Sequence, residues 1–323
     1  MLDVLIIGAG PVGLYAGFAA GLRKLNAAVV ESLPYVGGQL TSLYPEKPIY
    51  DIPGFKEVKA KDFIETLEEQ YNQFKDVVPL HLMTQVTNIK KVEDHFVVET
   101  TKQTFETKTV LISNGGGTFS PRLLEVENAD KPNVLYSVKT FEQFKDKKIL
   151  VLGGGDSALD WAIALAGVSK NVILSHRRKE FRAHDTSIEK FKTLGKILTP
   201  YTVEKVLGDK LANQVVLKNV ESNEELTLDV DYVLVNYGLL TSKNTYGDWG
   251  LELENNLVKV NSKYRTNIEG IYAVGNCCQY DGKLKMICPG LGEAATAIGD
   301  INNYLNPGKN NNVYSSALMH KDK

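Results

Sequence analysis

Cysteine is scarce. The 323 residues hold three, Cys277, Cys278 and Cys288, and no Cys-x-x-Cys pair. That excludes a disulfide framework and the small secreted scaffolds that depend on one. An excess of one charge is also lacking: 37 Lys and Arg stand against 39 Asp and Glu, so no global field favours nucleic acid or an anionic membrane. Long apolar runs are missing too, since the N-terminal stretch to Leu22 is interrupted by Gly8, Gly10, Gly13 and Gly17. The sequence reads as cytoplasmic, without a leader's cationic region, a nucleic-acid partner, a membrane partner or a metal. Its length is ample for two domains.

Glycine is present in a telling pattern. Val4 to Ile7 is a short β-branched run of the kind buried in a parallel strand, and Gly8-x-Gly10-x-x-Gly13 follows it, with Pro11 opening a helix-forming stretch. Gly8 permits the tight turn, Gly10 lets backbone approach a pyrophosphate, and Gly13 lets the helix pack close to the strand. Phosphates then meet the free N–H groups of the helix start. Ala27 to Val30 reads as the next strand. Glu31 ends it about 20 residues past the turn, where a ribose-binding acid belongs. A carboxylate there accepts from both ribose hydroxyls and repels a 2′-phosphate, so the spacing predicts FAD or NAD and not NADP.

The segments that follow set the organisation. The loop Val36-Gly37-Gly38-Gln39-Leu40 offers a further backbone approach, and Tyr44 and Tyr50 lie in a proline-punctuated stretch where an aromatic face suits a flavin; spacing does not choose between them. Residues 61–74 have the periodicity of a surface helix, and 80–104 alternate as an antiparallel meander. Thr109 to Gly117 is a buried strand closing on glycines, and the chain crosses to a new domain near Gly117.

The second domain repeats the opening. A strand from Lys148 to Leu152 leads to Gly153-x-Gly155-x-x-Ala158, through Asp156 and Ser157, and an alanine-rich helix. The next strand ends not in an acid but in His176-Arg177-Arg178, with Arg182 shortly after. Guanidinium groups bind phosphate through paired, charge-assisted hydrogen bonds, so this end predicts NADP(H). Strand 231–238 closes that unit, 266–276 returns on glycine and Asn276, and a small-residue helix from Gly290 rejoins the first domain.

These motifs together resemble the two-dinucleotide flavoproteins of the bacterial thioredoxin reductase family, over nearly the whole chain. The resemblance implies an α/β fold of two Rossmann-like, three-layer nucleotide-binding domains, with an NADP(H) domain at 118–240 inserted in an FAD domain at 1–117 and 241–323. It also implies a homodimer and relative domain rotation. The family's redox dithiol is missing: its place falls on Tyr136-Ser137-Val138-Lys139. Without a dithiol, electrons do not leave the flavin by disulfide exchange.

That departure is similar to the sister group of thioredoxin-reductase-like ferredoxin/flavodoxin–NADP⁺ reductases, as are Glu31-Ser32-Leu33-Pro34, Tyr44-Pro45-Glu46-Lys47 and the run from Gly153 to Trp161. The resemblance implies an oxidoreductase with no catalytic side-chain acid or base, serving ferredoxin or flavodoxin. Tyr44 would stack on one flavin face and the tail residue Tyr314 on the other across the dimer, with Ser316 beside it. Glu31, Gly38, Gln39, Leu40, Val86 and Phe119 would also contact FAD. Asn276 stands where the family carries Asp, and Tyr314 where it often carries His. An acidic partner implies a basic docking patch, for which Lys283, Lys285 and the tail lysines are candidates. Cys277, Cys278 and Cys288 read as small hydrophobes near the FAD, with a thiol relay as the sharper reading. Alternatives are a disulfide reductase without the usual Cys-x-x-Cys and a non-enzymatic FAD/NADPH redox sensor.

Overall fold

A computed structural model describes residues 1–117, 119–241 and 246–308. The chain divides into two compact units, one from Met1–Thr118 with Thr241–Lys323 and the other from Phe119–Leu240.

In the first unit the apolar run Leu2–Ile7 is a strand with its last four residues buried. It lies parallel to Ala27–Val30 on one side and to Thr104–Ile112 on the other, with Ile7 opposite both Val30 and Ile112. The sheet has seven strands. Strand Thr104–Ile112 is long enough for two partners on its other edge: Thr104 to Thr107 pair antiparallel with His95–Thr100, and Val110 to Ile112 pair parallel with Ile271–Ala273. The C-terminal stretch thereby becomes part of the first sheet.

Period-2 alternation decides what covers each face. Val4, Ile6, Val29 and Leu111 point to helices Pro11–Leu22, Ala60–Asn72 and Ile287–Leu305. Leu5, Ile7, Val30 and Ile112 point to the opposite layer, where Ile89, Phe96, Trp249 and Val258 wait. Each such side chain contributes about 1.5–3 kcal/mol on burial.

One segment departs from its sequence pattern. Val86–Val92 and His95–Thr100 form the expected hairpin, but Leu80–His81 leaves the meander and pairs parallel with Ala27–Val30. Backbone bonds from Glu31 N–H to His81 and from Thr84 N–H to Glu31, at 2.9 and 2.7 Å, hold it at the strand end.

The second unit has a five-stranded parallel sheet in the order Val134–Leu135, Tyr232–Val235, Ile149–Leu152, Val172–Ser175, Lys196–Leu198. Helices Asp156–Ala166 and Asp185–Lys192 and an antiparallel three-stranded meander accompany it. The connecting strands Phe119–Pro121 and Leu239–Thr241 pair with each other. Among the described residues, no helix is long and apolar enough to cross a membrane.

Candidate functional site

The first glycine turn is built without room to spare. A Cβ on Gly8, at φ +100°, would lie 2.7 Å from Asn114 Cα, and one on Gly13 would lie 1.8 Å from the Gly8 carbonyl oxygen. Gly10 faces open space. The helix begins there with Pro11 and no side-chain cap, so its first-turn N–H groups remain for an anion.

Glu31 is 7% exposed, and its carboxylate binds the turn itself. Oε2 accepts from Ala9 N–H at 2.8 Å, and Oε1 from Leu33 N–H at 2.9 Å and Ser32 Oγ at 3.1 Å. The remaining lone pairs are what it offers to ribose hydroxyls.

Two other segments meet this turn. Gly37 N–H donates to the Ala9 carbonyl at 2.8 Å, and Gly38 brings its loop within 3.5 Å of Gly10 Cα, measured from where a Cβ would stand. Gln39 and Leu40 then open the short helix Gln39–Leu43, where the Thr41 hydroxyl is buried without a partner among the described residues. Tyr44 ends that helix half-buried against the core, its phenol pushed up by burial and the Lys47 ammonium 5.7 Å above its ring. Tyr50 is 66% exposed. Of the two tyrosines left open by spacing, Tyr44 is the one packed against the core of the first unit. Val86 begins its strand half-buried.

From the C-terminal side, Gly275 turns at φ +76° and gives its N–H to Glu293 Oε2 at 2.6 Å. A Cβ on Gly290, in the last helix, would lie 2.7 Å from Val12 Cγ2 and 3.5 Å from Gly275 Cα. The starts of the first and last helices thus converge on the Gly275–Asn276 turn, and Asn276 is exposed there. The open glycine, the uncapped helix start and the orphan Thr41 hydroxyl fit a dinucleotide. Phe119 contributes backbone to its strand; its side chain, and all of Tyr314 and Ser316, lie outside the described residues.

The second turn uses the same plan with different fillings. Gly153 sits at φ +147°, Gly155 faces open space, and helix Asp156–Ala166 again lacks a side-chain cap. Ala158 occupies the place of Gly13 and is buried. His176 occupies the place of Glu31, and its imidazole covers Gly154: a Cβ there would be 2.4 Å from the ring. Phe181 backs that ring at 5.2 Å between centroids.

The basic loop folds back onto the turn. Arg182 N–H donates to the Gly154 carbonyl at 2.8 Å, and Asp156 Oδ1 accepts from His184 N–H at 3.1 Å. Asp156 and Ser157 are exposed at the helix start, and Arg177, Arg178 and Arg182 are exposed on the loop. Among the described residues, none of the three guanidinium groups has a hydrogen bond or ion pair. Burial first, and then the charge of Arg177, hold the His176 imidazole below its ordinary value. Three uncommitted cations beside an uncapped helix fit a phosphorylated nucleotide.

The sequence reading missed one cluster and misplaced one residue. Lys283, a candidate for a docking patch, has a side chain 1% exposed and paired with Glu293. Lys285 is exposed. Cys277 and Cys278 are both fully buried, with thiols donating to the Val274 and Gly275 carbonyls at 3.0 and 3.3 Å. Burial pushes both thiols up, Cys278 to about 12, so the thiolate needed for exchange chemistry is suppressed. Cys288 is partly exposed.

Equivalent turns with an acid at one strand end and a basic loop at the other define a protein for two different dinucleotides. The chain belongs to the pyridine nucleotide-disulphide oxidoreductase family, whose model matches residues 2–299. A relative from Acholeplasma laidlawii named ferredoxin–NADP reductase is 51% identical, with all of both chains covered. One of the same name from Geobacillus kaustophilus is 44% identical over 94% of this chain and 93% of its own. Among solved structures, the thioredoxin reductase of Lactococcus lactis superposes with a TM-score of 0.76 at 26% identity, covering 94% of this chain and 99% of its own.

Proposed function

We propose that the chain is an FAD-dependent ferredoxin/flavodoxin–NADP⁺ reductase, with FAD held by the first unit and NADP(H) by the second. The observation that carries the assignment is the uncommitted Arg177–Arg178–Arg182 cluster in the second unit against buried Glu31 in the first, in a chain without a Cys-x-x-Cys. The curated relatives' name supports the acceptor class. Bound FAD would supply two-electron exchange with NADP(H) and the one-electron exchange that a ferredoxin or flavodoxin requires.

The chain's own residues bind and orient. Gly8, Gly10, Pro11 and Gly13 seat the FAD pyrophosphate on the first helix, and Glu31 receives its ribose. Gly38, Gln39, Leu40 and Val86 border it, Tyr44 supplies an aromatic face, and Asn276 offers an amide in place of a carboxylate. Gly153, Gly155, Ser157 and Ala158 seat the second pyrophosphate; Asp156 ties the basic loop to the turn through His184 N–H. His176, Arg177, Arg178 and Arg182 receive the 2′-phosphate. The family resemblance assigns Phe119, Tyr314 and Ser316 to FAD binding as well, the last two across a homodimer. A cytoplasmic location accords with the scarcity of cysteine.

The test is anaerobic NADPH oxidation by the purified yellow protein, following cytochrome c reduction with ferredoxin or flavodoxin added, and with thioredoxin plus a disulfide as comparator. Stimulation by ferredoxin or flavodoxin alone is expected. Stimulation by thioredoxin instead would return the cysteines to the chemistry, and slow oxidation with every acceptor would favour a sensor.

A further inference from the structure

The pair of Lys283 and Glu293 is used by nothing in the reaction above, yet both of its side chains are buried, at 1% and 2% exposure. Glu293 Oε1 accepts from Lys283 Nζ and from the Tyr280 hydroxyl, the latter at 2.8 Å. Oε2 accepts from Gly275 N–H at 2.6 Å, with the Cys278 thiol at 3.8 Å. The Lys283 ammonium also stands 5.3 Å from the centre of the Tyr280 ring. Burial, and then the bond to Glu293, hold the Tyr280 phenol above its ordinary value.

Such a pair is weak evidence for stability, because desolvating both charges offsets most of their attraction. Its position explains it better. Glu293 rises from the last helix one turn beyond Gly290, which packs on Val12 and Gly275. Its carboxylate therefore ties the last helix to the turn that ends the returning strand, where the first helix also begins.

We infer that Glu293 is a positioning residue for the flavin nucleotide: matched in charge by Lys283, it pins Gly275 N–H and so sets Asn276 against the first glycine turn. The inference rests on the reading of the first unit as the FAD unit. Two consequences separate it from simple bracing. Affinity for FAD depends on an acceptor for Gly275 N–H, and the potential of bound flavin depends on the balance of the two charges.

The experiment is FAD titration of the stripped apoprotein by fluorescence, followed by redox titration of the reloaded protein. Lys283→Met with Glu293→Gln removes both charges but keeps the acceptor, and is expected to bind FAD within about threefold of the wild type. Lys283→Met with Glu293→Leu removes the acceptor and is expected to lose about tenfold to a hundredfold. Glu293→Gln alone should raise the flavin midpoint potential and Lys283→Met alone should lower it, with the Met/Gln pair between.

Equal FAD affinity in the Met/Leu and Met/Gln proteins overturns the proposal, as do single variants that shift the potential in the same direction. If the Met/Leu apoprotein is destabilised, titration in the cold below its melting transition decides: affinity restored to the Met/Gln level makes the role structural and overturns the proposal, while a persistent deficit supports it. A wild-type chain that takes up no FAD overturns the underlying reading. A wild type that binds FAD with indifferent variants overturns this proposal alone.

Discussion

The two glycine turns share a backbone and differ in what fills it. In both, the first glycine turns at positive φ and the second faces open space. The third position separates them: Gly13 has no space for a methyl group, whereas Ala158 carries one. The strand ends then diverge in charge. Glu31 spends its oxygens on Ala9 and Leu33 N–H, while His176 lays a ring on Gly154 and leaves three arginines uncommitted. On the proposed reading, the backbone plan makes a nucleotide site, and the residue after the second strand chooses which nucleotide.

The largest expected effect lies at the tightest point. Gly13→Ala should cost about 3 kcal/mol or more and release FAD, because its Cβ would meet a backbone carbonyl that cannot move. Ala158→Gly should cost only about 1 kcal/mol, from helix entropy. Chemical denaturation and flavin content measure both, and equal losses would erase the distinction between the turns.

Next come the proposed phosphate ligands. Arg177→Ala or Arg178→Ala should weaken NADPH binding by about 1.5–3 kcal/mol and leave NADH nearly unchanged. Calorimetric titration with each nucleotide checks this, and equal losses would remove the 2′-phosphate from the account. Gly154→Ala should displace the His176 ring and raise the Kd for NADPH, at a cost of about 1–3 kcal/mol. Ala9→Gly, at the matching place in the first turn, should leave FAD content close to that of the wild type.

The smallest effect is in pH. The folded His176 imidazole titrates below its ordinary 6.5, so the unfolded chain takes up the proton first. Its contribution to stability is present above pH 6.5 and declines as pH falls below that value toward the folded one. Melting curves of the wild type should therefore fall more steeply on acidification than those of His176→Gln; parallel curves would contradict the assignment.

Much of this was legible in sequence because it is local. Val4 to Gly13 and Leu150 to Ala158 each contain a strand, a turn and a helix start within a dozen or so residues, and glycine spacing reports backbone demands directly. Glu31 and the basic loop follow at fixed distances from their turns. The rest depends on which distant residues meet. Lys283 looked like surface charge because composition says nothing of its partner, and Glu293 lies ten residues away on a helix. Asp156 reads from sequence as an NADP(H)-binding residue of the second turn, and sequence does not show that its carboxylate holds the basic loop through His184 N–H. The parallel docking of Leu80–His81 against Ala27–Val30 likewise has no local signature.

The most direct test of the central claim is anaerobic reduction of the bound flavin, followed by its bleaching as NADPH or NADH is added. The account predicts bleaching by NADPH at concentrations at least about tenfold below those required of NADH, with Arg177→Ala narrowing that ratio. Equal bleaching by both nucleotides would mean that the strand-end charge does not divide the two sites.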